Sequence, residues 1–274
     1  MIRLFGSLIV ILVLIATASA VAQDVTLDGD FIQGGLVTGR VAAGDRVDLD
    51  GKPVPVAANG RFLIAFDRDG AKTAKLEIRH ANGSVTRRDL TIETRSYDIQ
   101  RIDGLPPRKV TPSPEDMKRI AAERTLMVAA RGIVRRDSDF VSGFVWPARG
   151  RISGVYGSQR ILNGEPRRPH FGVDIAAPVG TPVVAAADGE VTLVHPGMFF
   201  NGKSVVIDHG LGLNSVYIHL SETLVKKGQK VKKGAVVGRV GKTGRATGPH
   251  LHWGMRLRDV EIDPALLVDG SPEN

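Results

Sequence analysis

The chain has 274 residues, of which 42% are apolar and 24% charged, and it contains no cysteine. These values fit a globular protein of one or two domains, and they exclude a disulfide scaffold and a lipoprotein acylated on cysteine. The formal net charge of +8 favours anionic partners. The densest cationic run, Lys226 to Lys233, has no interleaved aromatic residues, so we expect no nucleic-acid partner.

Residues 1–22 have the pattern of a secretory signal peptide. Arg3 precedes an unbroken apolar run from Leu8 to Ile15, and small residues at 18–22 offer two small-x-small cleavage sites. The apolar run is shorter than the roughly 18 residues expected of a spanning helix, so cleavage is favoured over a retained anchor at the inner membrane. We therefore predict export, with the periplasm favoured over the exterior, and no membrane partner after cleavage.

Residues 24–103 are predicted to form a separate β domain. Apolar residues alternate with polar ones over several short runs, for example at Phe62, Ile64 and Phe66. Pairs typical of tight hairpin turns separate several of these runs: Asp50-Gly51, Asn59-Gly60 and Asn82-Gly83. The spacing predicts a small antiparallel β-sandwich, loosely immunoglobulin-like. Its one histidine, His80, is interpreted as an ordinary strand residue.

Residues 104–143 are predicted to be a Pro-rich linker with one helix. Ser113 has the character of an N-cap, followed by Pro114 at the first helical position and Asp116 to complete a capping box. The pattern predicts a helix over 114–130 that ends before Gly132. Its apolar face is predicted from four residues: Met117, Ile120, Ala121 and Val128.

This helix allows two interpretations. Amphipathic helices normally bury one face, so we favour a helix that packs between the domains. The alternative is that residues 104–145 lie across a groove of the following domain and restrict access to it.

Residues 144–268 are predicted to form a second domain, followed by a tail at 269–274. Short apolar runs of strand length are separated by glycines, the helical signal is slight and βαβ units are absent. The predicted fold is therefore mainly β throughout, with an antiparallel C-terminal domain.

Near the end of the chain, His250 and His252 stand two residues apart in a run of strand character. Alternate side chains of a strand share a face, so both imidazoles should point the same way, with Leu251 packed behind them.

Two further elements contain histidine. His170 and Asp174 should share a face, and Gly172 between them should leave room for an ion. In the run Val216 to Leu220, alternation projects Tyr217 and His219 to one side.

Imidazole with carboxylate is ligand chemistry that zinc prefers, and three protein ligands with an open fourth position are typical of a catalytic site. The three elements therefore predict a metal-dependent hydrolase. His195, at a strand end, and His209, in a turn, are not expected to be ligands.

The motifs HxxxD, YxHL and HxH occur in that order, within the segments GVDIAAPVGTPVVAAADGEV and VKKGQKVKKGAVVGRVGKTG. Over residues 146–266 the chain resembles the lysostaphin-type (LytM) zinc metallopeptidases, which cut the peptides of bacterial cell wall. The resemblance implies a β-sheet groove with the metal on its floor. It implies His170, Asp174 and His252 as zinc ligands, and His219 and His250 as catalytic residues beside the reacting water.

A proton acceptor is needed beside the metal. The chain has no HExxH motif, so the glutamate base of that metalloprotease class is missing. A histidine can fill this position, since its unperturbed pKa is near 6.5. The sequence leaves open whether His219 or His250 is the base.

The function predicted from the sequence is an exported zinc metalloendopeptidase that hydrolyses peptide crosslinks of peptidoglycan. Its partner would be the peptide stems of the wall, with D-alanyl to diaminopimelate bonds favoured over glycine bridges. The main alternative is a non-catalytic wall-binding scaffold or activator of another wall hydrolase; an exported peptidase acting on a protein is a further one. The complete set of ligand and base residues favours the enzyme.

Overall fold

The computed structural model describes residues 25–273. The predicted signal peptide at 1–22 lies outside them. Within the described range, no helix has the length and apolar character needed to cross a bilayer.

The N-terminal domain consists of seven short strands. They are β1 (Thr26–Gly29), β2 (Leu36–Arg40), β3 (Arg46–Leu49), β4 (Lys52–Val54), β5 (Arg61–Ala65), β6 (Thr73–Arg79) and β7 (Val85–Thr91). They form two antiparallel sheets with the orders β1-β2-β5 and β4-β3-β6-β7. The buried residues of β6, Ala74, Leu76 and Ile78, share one apolar core with Phe62 and Ile64 of β5, so the sheets pack together. The predicted antiparallel N-terminal β domain is confirmed.

The turn between β3 and β4 follows the sequence prediction. Asp50 and Gly51 have φ angles of 49° and 74°. Left-handed values at both central residues suit a two-residue hairpin, because its twist then matches that of the flanking strands. Glycine adopts such a conformation without the steric cost of a Cβ atom.

A strand and two helices connect the domains: β8 (Ile99–Ile102), α1 (Pro107–Val110) and α2 (Pro114–Arg131). Helix α2 begins with the predicted capping box, since the Asp116 N–H donates to Ser113 Oγ at 3.2 Å and the Ser113 N–H donates to Asp116 Oδ2 at 3.4 Å. Arg108 donates two bonds of 2.6 Å to the Asp116 carboxylate and lowers its pKa to about 2. The predicted helix is thus confirmed, and its first turn is tied to α1.

The predicted apolar face of α2 is wrong. Met117 is 52% exposed and Val128 is 62% exposed, whereas the buried apolar residues are Met127 and Ala130. These two pack on apolar residues of the central sheet, Leu193, Met198, Val206, Val216 and Ile218. The apolar contacts of the helix with the sheet therefore lie in the C-terminal part of its length, where the spacing of apolar residues gave no clear signal.

The C-terminal domain contains thirteen strands. They are β9 (Arg151–Gly154), β10 (Gln159–Leu162), β11 (Glu165–Pro166), β12 (Val173–Ala176), β13 (Pro182–Val184), β14 (Gly189–Met198), β15 (Gly202–Asp208), β16 (Leu213–Leu220), β17 (Glu222–Thr223), β18 (Lys230–Val231), β19 (Val236–Arg239), β20 (His250–Leu257) and β21 (Val260–Ile262). Short 3-10 helices lie at Asp139–Ser142 and Pro264–Leu267.

One large antiparallel sheet organises this domain. Its order is β18-β14-β15-β16-β20-β12-β9, with β21 paired to β20, and a smaller sheet has the order β13-β19-β17. Leu251 and Trp253 of β20 are fully buried in the core beneath it. The predicted antiparallel, largely β domain is confirmed.

The chain that follows the N-terminal domain joins the C-terminal domain directly. Strand β8 pairs in parallel with β10, from Ile99 opposite Gln159 to Ile102 opposite Leu162. Strand β10 pairs in turn with β11. Residues near 100 thus support the hairpin that leads towards His170.

His209 is fully buried at the end of β15 in a polar network. Its Nδ1 is 2.6 Å from the Asp188 carbonyl oxygen, and its Nε2 is 2.8 Å from Ser215 Oγ. The Ser215 and Tyr217 hydroxyls are 3.0 Å apart, and Tyr217 accepts the Ala186 N–H at 2.8 Å. Burial lowers the pKa of His209 to about 4. The residue therefore supports the fold as a neutral imidazole.

Ser113→Ala should weaken the start of α2. Losing an N-cap side chain costs about 1 kcal/mol of helix stability. We expect faster hydrogen exchange of the amides in the first turn of α2. Thr125→Ala is the matched control, because it changes an exposed position of the same helix to a better helix former and should not speed exchange. Unchanged exchange in Ser113→Ala would show that the cap contributes nothing.

Acidification should destabilise the protein through His209. The folded pKa of about 4 lies below the unfolded value near 6.5, so the unfolded chain binds more protons between these pH values. The free energy of unfolding should fall as pH drops from 6.5 to 4, by up to about 3 kcal/mol from this residue. Urea unfolding measured between pH 7 and 4.5 should show that the free energy of unfolding depends less steeply on pH in His209→Gln than in the wild type. The same pH dependence in both proteins would contradict this.

Candidate metal centre

Strands β12 and β20 bring the first functional side chains together. In their antiparallel register Asp174 is opposite His252, and Ala176 is opposite His250. His250 and His252 both face Asp174, with Nε2 of His250 3.8 Å and Nδ1 of His252 2.9 Å from Asp174 Oδ1. Leu251 points to the core, as the alternation predicts.

His170 lies in the loop before β12. Its backbone is fixed by two bonds, because its N–H donates to the Ser158 carbonyl at 2.9 Å and its carbonyl accepts the Gly157 N–H at 2.7 Å. His170 Nδ1 is 3.0 Å from the Val155 carbonyl oxygen, which makes Nδ1 the protonated nitrogen of the neutral ring. The lone pair on Nε2 then faces Asp174 Oδ1 at 3.1 Å.

Three potential ligand atoms converge at this point: Nε2 of His170, Oδ1 of Asp174 and Nδ1 of His252. The two imidazole nitrogens are 2.8 Å apart. His252 Nδ1 faces both His170 Nε2 and Asp174 Oδ1, and both of these atoms are acceptors. The single proton that His252 Nδ1 can carry cannot satisfy both of them. A divalent cation would serve all three atoms, and its preference for nitrogen and oxygen ligands matches the set. The group fits a metal ion.

Asp174 is charged in spite of its burial. Removal from water would raise the pKa of this carboxyl, but its interactions with His170 and then with His252 hold it well below its usual value. Its second oxygen, Oδ2, accepts from Arg160 Nη2 at 2.5 Å. Arg160 therefore fixes the orientation in which Oδ1 faces the imidazoles.

Two histidines of the site are held neutral. Burial lowers the pKa of His252 to about 4, against the opposing effect of Asp174. Burial, together with His250 and His252, lowers the pKa of His219 to about 3. At neutral pH both rings have a lone pair available for a ligand bond or for a proton.

His219 reaches the site through a break in strand alternation. The expectation that it shares a face with Tyr217 is wrong, since Tyr217 lies in the core while His219 lines a cavity with Val216 and Ile218. His219 has a φ of 65°, and the register between β15 and β16 shifts near this point. A left-handed residue turns its side chain off the regular alternation, and such conformations cluster at functional sites.

His219 and His250 present their Nε2 atoms in the same way. His219 Nδ1 is 2.8 Å from the Thr243 carbonyl oxygen, and His250 Nδ1 is 2.9 Å from the Gly248 carbonyl oxygen. The backbone thus engages Nδ1 of both rings, and among residues 25–273 neither Nε2 has a hydrogen-bond partner. The ring centroids are 4.7 Å apart. The structure brings together all five residues singled out in the sequence.

Gly172 has a different role from the predicted one. A Cβ atom there would lie 2.8 Å from His252 Nε2 and 2.5 Å from the Trp253 carbonyl oxygen. The missing side chain makes room for the His252 ring rather than for an ion.

A cavity of about 820 Å³ adjoins the metal centre. His170, His219 and His252 line one part of it, and Met117, Ile120, Met127 and other residues of α2 line another. Helix α2 thus packs on the sheet of the C-terminal domain and also forms a wall of the cavity.

The sequence analysis missed Arg160. The loop before His170 is rich in arginine, but no spacing singles out the one that meets Asp174. That contact depends on β10, which places Arg160 next to β12.

Arg160→Gln should weaken metal binding without removing a ligand. Substitutions of residues that orient a ligand typically cost 10- to 100-fold in metal affinity. Competition with a chromophoric chelator should show a loss of about that size. Arg168→Gln is the control, because Arg168 lies in the loop just before His170 and the ion pair of Asp174 is with Arg160 instead. Equal affinity of Arg160→Gln and the wild type would contradict the orienting role.

Comparison with known proteins places this site in context. A sequence model of peptidase family M23 matches residues 168–264. The peptidoglycan DD-endopeptidase ShyA of Vibrio cholerae serotype O1 is 47% identical over 123 residues, which are 41% of this chain and 25% of ShyA. The DD-carboxypeptidase/endopeptidase Mpg of Neisseria meningitidis serogroup B is 40% identical over 124 residues, which are 45% of this chain and 28% of Mpg. The chain thus spans about a quarter of the length of these curated relatives.

One solved structure matches almost end to end. It is a crystal structure from Pseudomonas aeruginosa described as a candidate peptidase M23, and it is 33% identical with a TM-score of 0.66. The match covers 86% of this chain and 94% of that one, so it extends well beyond the residues 168–264 that the family model matches. The chain belongs to peptidase family M23.

Proposed function

We propose that the chain is a zinc metalloendopeptidase that hydrolyses peptide crosslinks of peptidoglycan. The observation that carries this proposal is the convergence of three ligand atoms beside two further imidazoles, His219 and His250, whose Nδ1 atoms are bonded to backbone carbonyls. Two curated relatives support it, since their names describe a peptidoglycan DD-endopeptidase and a DD-carboxypeptidase/endopeptidase.

In this proposal His170, Asp174 and His252 hold the zinc ion. Zinc in a three-ligand site acts as a Lewis acid and lowers the pKa of water to about 7. Arg160 keeps one oxygen of Asp174 occupied, so a single carboxylate oxygen remains for the metal.

We assign proton transfer to His219 and His250. Each ring donates Nδ1–H to a backbone carbonyl, so its Nε2 can accept a proton from the attacking water and return one to the leaving amine. The two ring centroids are 4.7 Å apart, so we propose that the pair shares the two proton transfers.

We propose D-alanyl to diaminopimelate crosslinks as the substrate. The names of these two relatives specify DD-peptidases, which favours a bond between two D-configured centres over a glycine bridge. Peptidoglycan as the substrate implies the cell envelope as the location, and the predicted signal at 1–22 makes the periplasm our proposal.

The first test is mass spectrometry of muropeptides after digestion of purified diaminopimelate-type sacculi. We expect the zinc-loaded chain to remove crosslinked dimers and a chelator to stop this loss. His250→Ala should slow turnover by at least about 100-fold, because it removes a proton-transfer group, while retaining its zinc. His252→Ala should lose both zinc and turnover.

Two outcomes would contradict the proposal. Full metal content in His252→Ala would exclude the assigned ligand set. Intact dimers in every sample, with zinc bound, would exclude the endopeptidase and favour a wall-binding scaffold on the same fold.

A further inference from the structure

The cavity beside the metal centre is unusually basic. Its lining includes six arginines, Arg124, Arg131, Arg160, Arg167, Arg168 and Arg245, against two glutamates, Glu123 and Glu261. Low-dielectric walls lined by one sign of charge concentrate ligands of the opposite sign. The cavity is therefore suited to an anionic group.

The two glutamates are already engaged. Glu123 accepts from Arg119 Nε and from the Phe199 N–H, both at 2.7 Å. Glu261 accepts from Arg256 Nη1 at 2.8 Å and also pairs with Arg131 Nη1 at 3.8 Å. Within residues 25–273, neither carboxylate forms an ion pair with Arg160, Arg167 or Arg245.

Arg160 and Arg167 have partners of their own. Arg160 donates to Asp174 and to Gln100, and Arg167 donates to the backbone carbonyls of Pro166 and Val110. Both guanidinium groups are thus held in fixed positions.

Arg245 lies beside them without such partners. Among residues 25–273 its guanidinium has no hydrogen bond to protein and no carboxylate within ion-pair distance, and it stacks over Phe200 at 4.4 Å from the ring centroid. Burial, with the charges of Arg160 and Arg167, lowers its pKa to about 10. A half-buried guanidinium next to two others is destabilised until an anion joins it.

The chain fixes Arg245 close to the proposed reaction. The Arg245 N–H donates to the Phe200 carbonyl at 2.8 Å, and the next residue of that turn, Asn201, accepts the His219 N–H at 2.8 Å. Two residues before Arg245, the Thr243 carbonyl holds Nδ1 of His219. The guanidinium and the His219 ring are therefore positioned by one set of backbone contacts and line one cavity.

We propose that Arg245 is a specificity-determining residue that binds a substrate carboxylate next to the scissile amide. This inference rests on the proposed function. In a D-alanyl to diaminopimelate crosslink, the carbon that bears the leaving amine also bears a free carboxylate. A guanidinium matches a carboxylate with two parallel hydrogen bonds. A glycine bridge or a crosslink with a carboxamide at that carbon offers no such charge.

The test uses two crosslinked muropeptide dimers that differ in one group, with the carboxyl beside the leaving amine either free or converted to carboxamide. The zinc-loaded full chain should cleave the free acid with about a ten- to hundredfold higher kcat/KM. Arg245→Gln should lose most of this preference by slowing cleavage of the acid alone. Arg245→Lys should keep part of this preference, because lysine retains the charge but lacks the planar guanidinium that forms two parallel hydrogen bonds.

Arg46→Gln is the matched control, because Arg46 is an exposed arginine of the N-terminal domain. It should leave the preference unchanged. Equal cleavage of both dimers by the wild type would overturn the inference while leaving the proposed function standing. Equal slowing of both dimers by Arg245→Gln would also overturn it, since that result indicates a structural role.

Calorimetry with the same two dimers separates this inference from the proposed function. If the wild type cleaves neither dimer, the endopeptidase proposal fails. Tighter binding of the acid than of the carboxamide, lost in Arg245→Gln, would still support the carboxylate subsite. Equal binding of the two dimers would overturn it.

Discussion

A single buried carboxylate sets the constraint on which the rest of the site depends. Asp174 is 6% exposed, yet its pKa lies well below the usual value. An unpaired charge at that depth would cost several kcal/mol, so partners must reach it from separate parts of the chain. The large antiparallel sheet supplies His252 from β20, and the loop before β12 supplies His170. Arg160 comes from β10, which pairs with β8 and β11 outside that sheet. Two sheets thus keep these groups around one charge.

Regular periodicity explains which features the sequence predicted well. The alternation of His250, Leu251 and His252 survives in the structure, because β20 is a central strand with a fixed register. The capping box at Ser113 was also predictable, since it depends on residues three positions apart in the chain. The antiparallel β character followed from short runs and turn residues in the same way.

The remaining features depend on contacts that no local pattern encodes. The φ of 65° at His219 breaks the alternation and moves its ring away from the face of Tyr217. The role of Arg160 requires β10 to lie beside β12, and the unpartnered state of Arg245 is visible only when its neighbours are in place. The buried face of α2 was missed because the sheet, rather than the helix sequence, selects which side chains are covered.

The pairing of β8 with β10 has a consequence for what counts as the functional unit. Gln100 of β8 accepts from Arg160 at 3.3 Å, and both residues precede the stretch 168–264 that defines the family. That stretch contains every proposed ligand and base, but neither the guanidinium that orients Asp174 nor the strand behind it. A fragment limited to that stretch would keep the proposed ligands and bases but would lack the arginine that orients Asp174. Strand β8 thus supports the metal centre through Arg160 without supplying a proposed ligand.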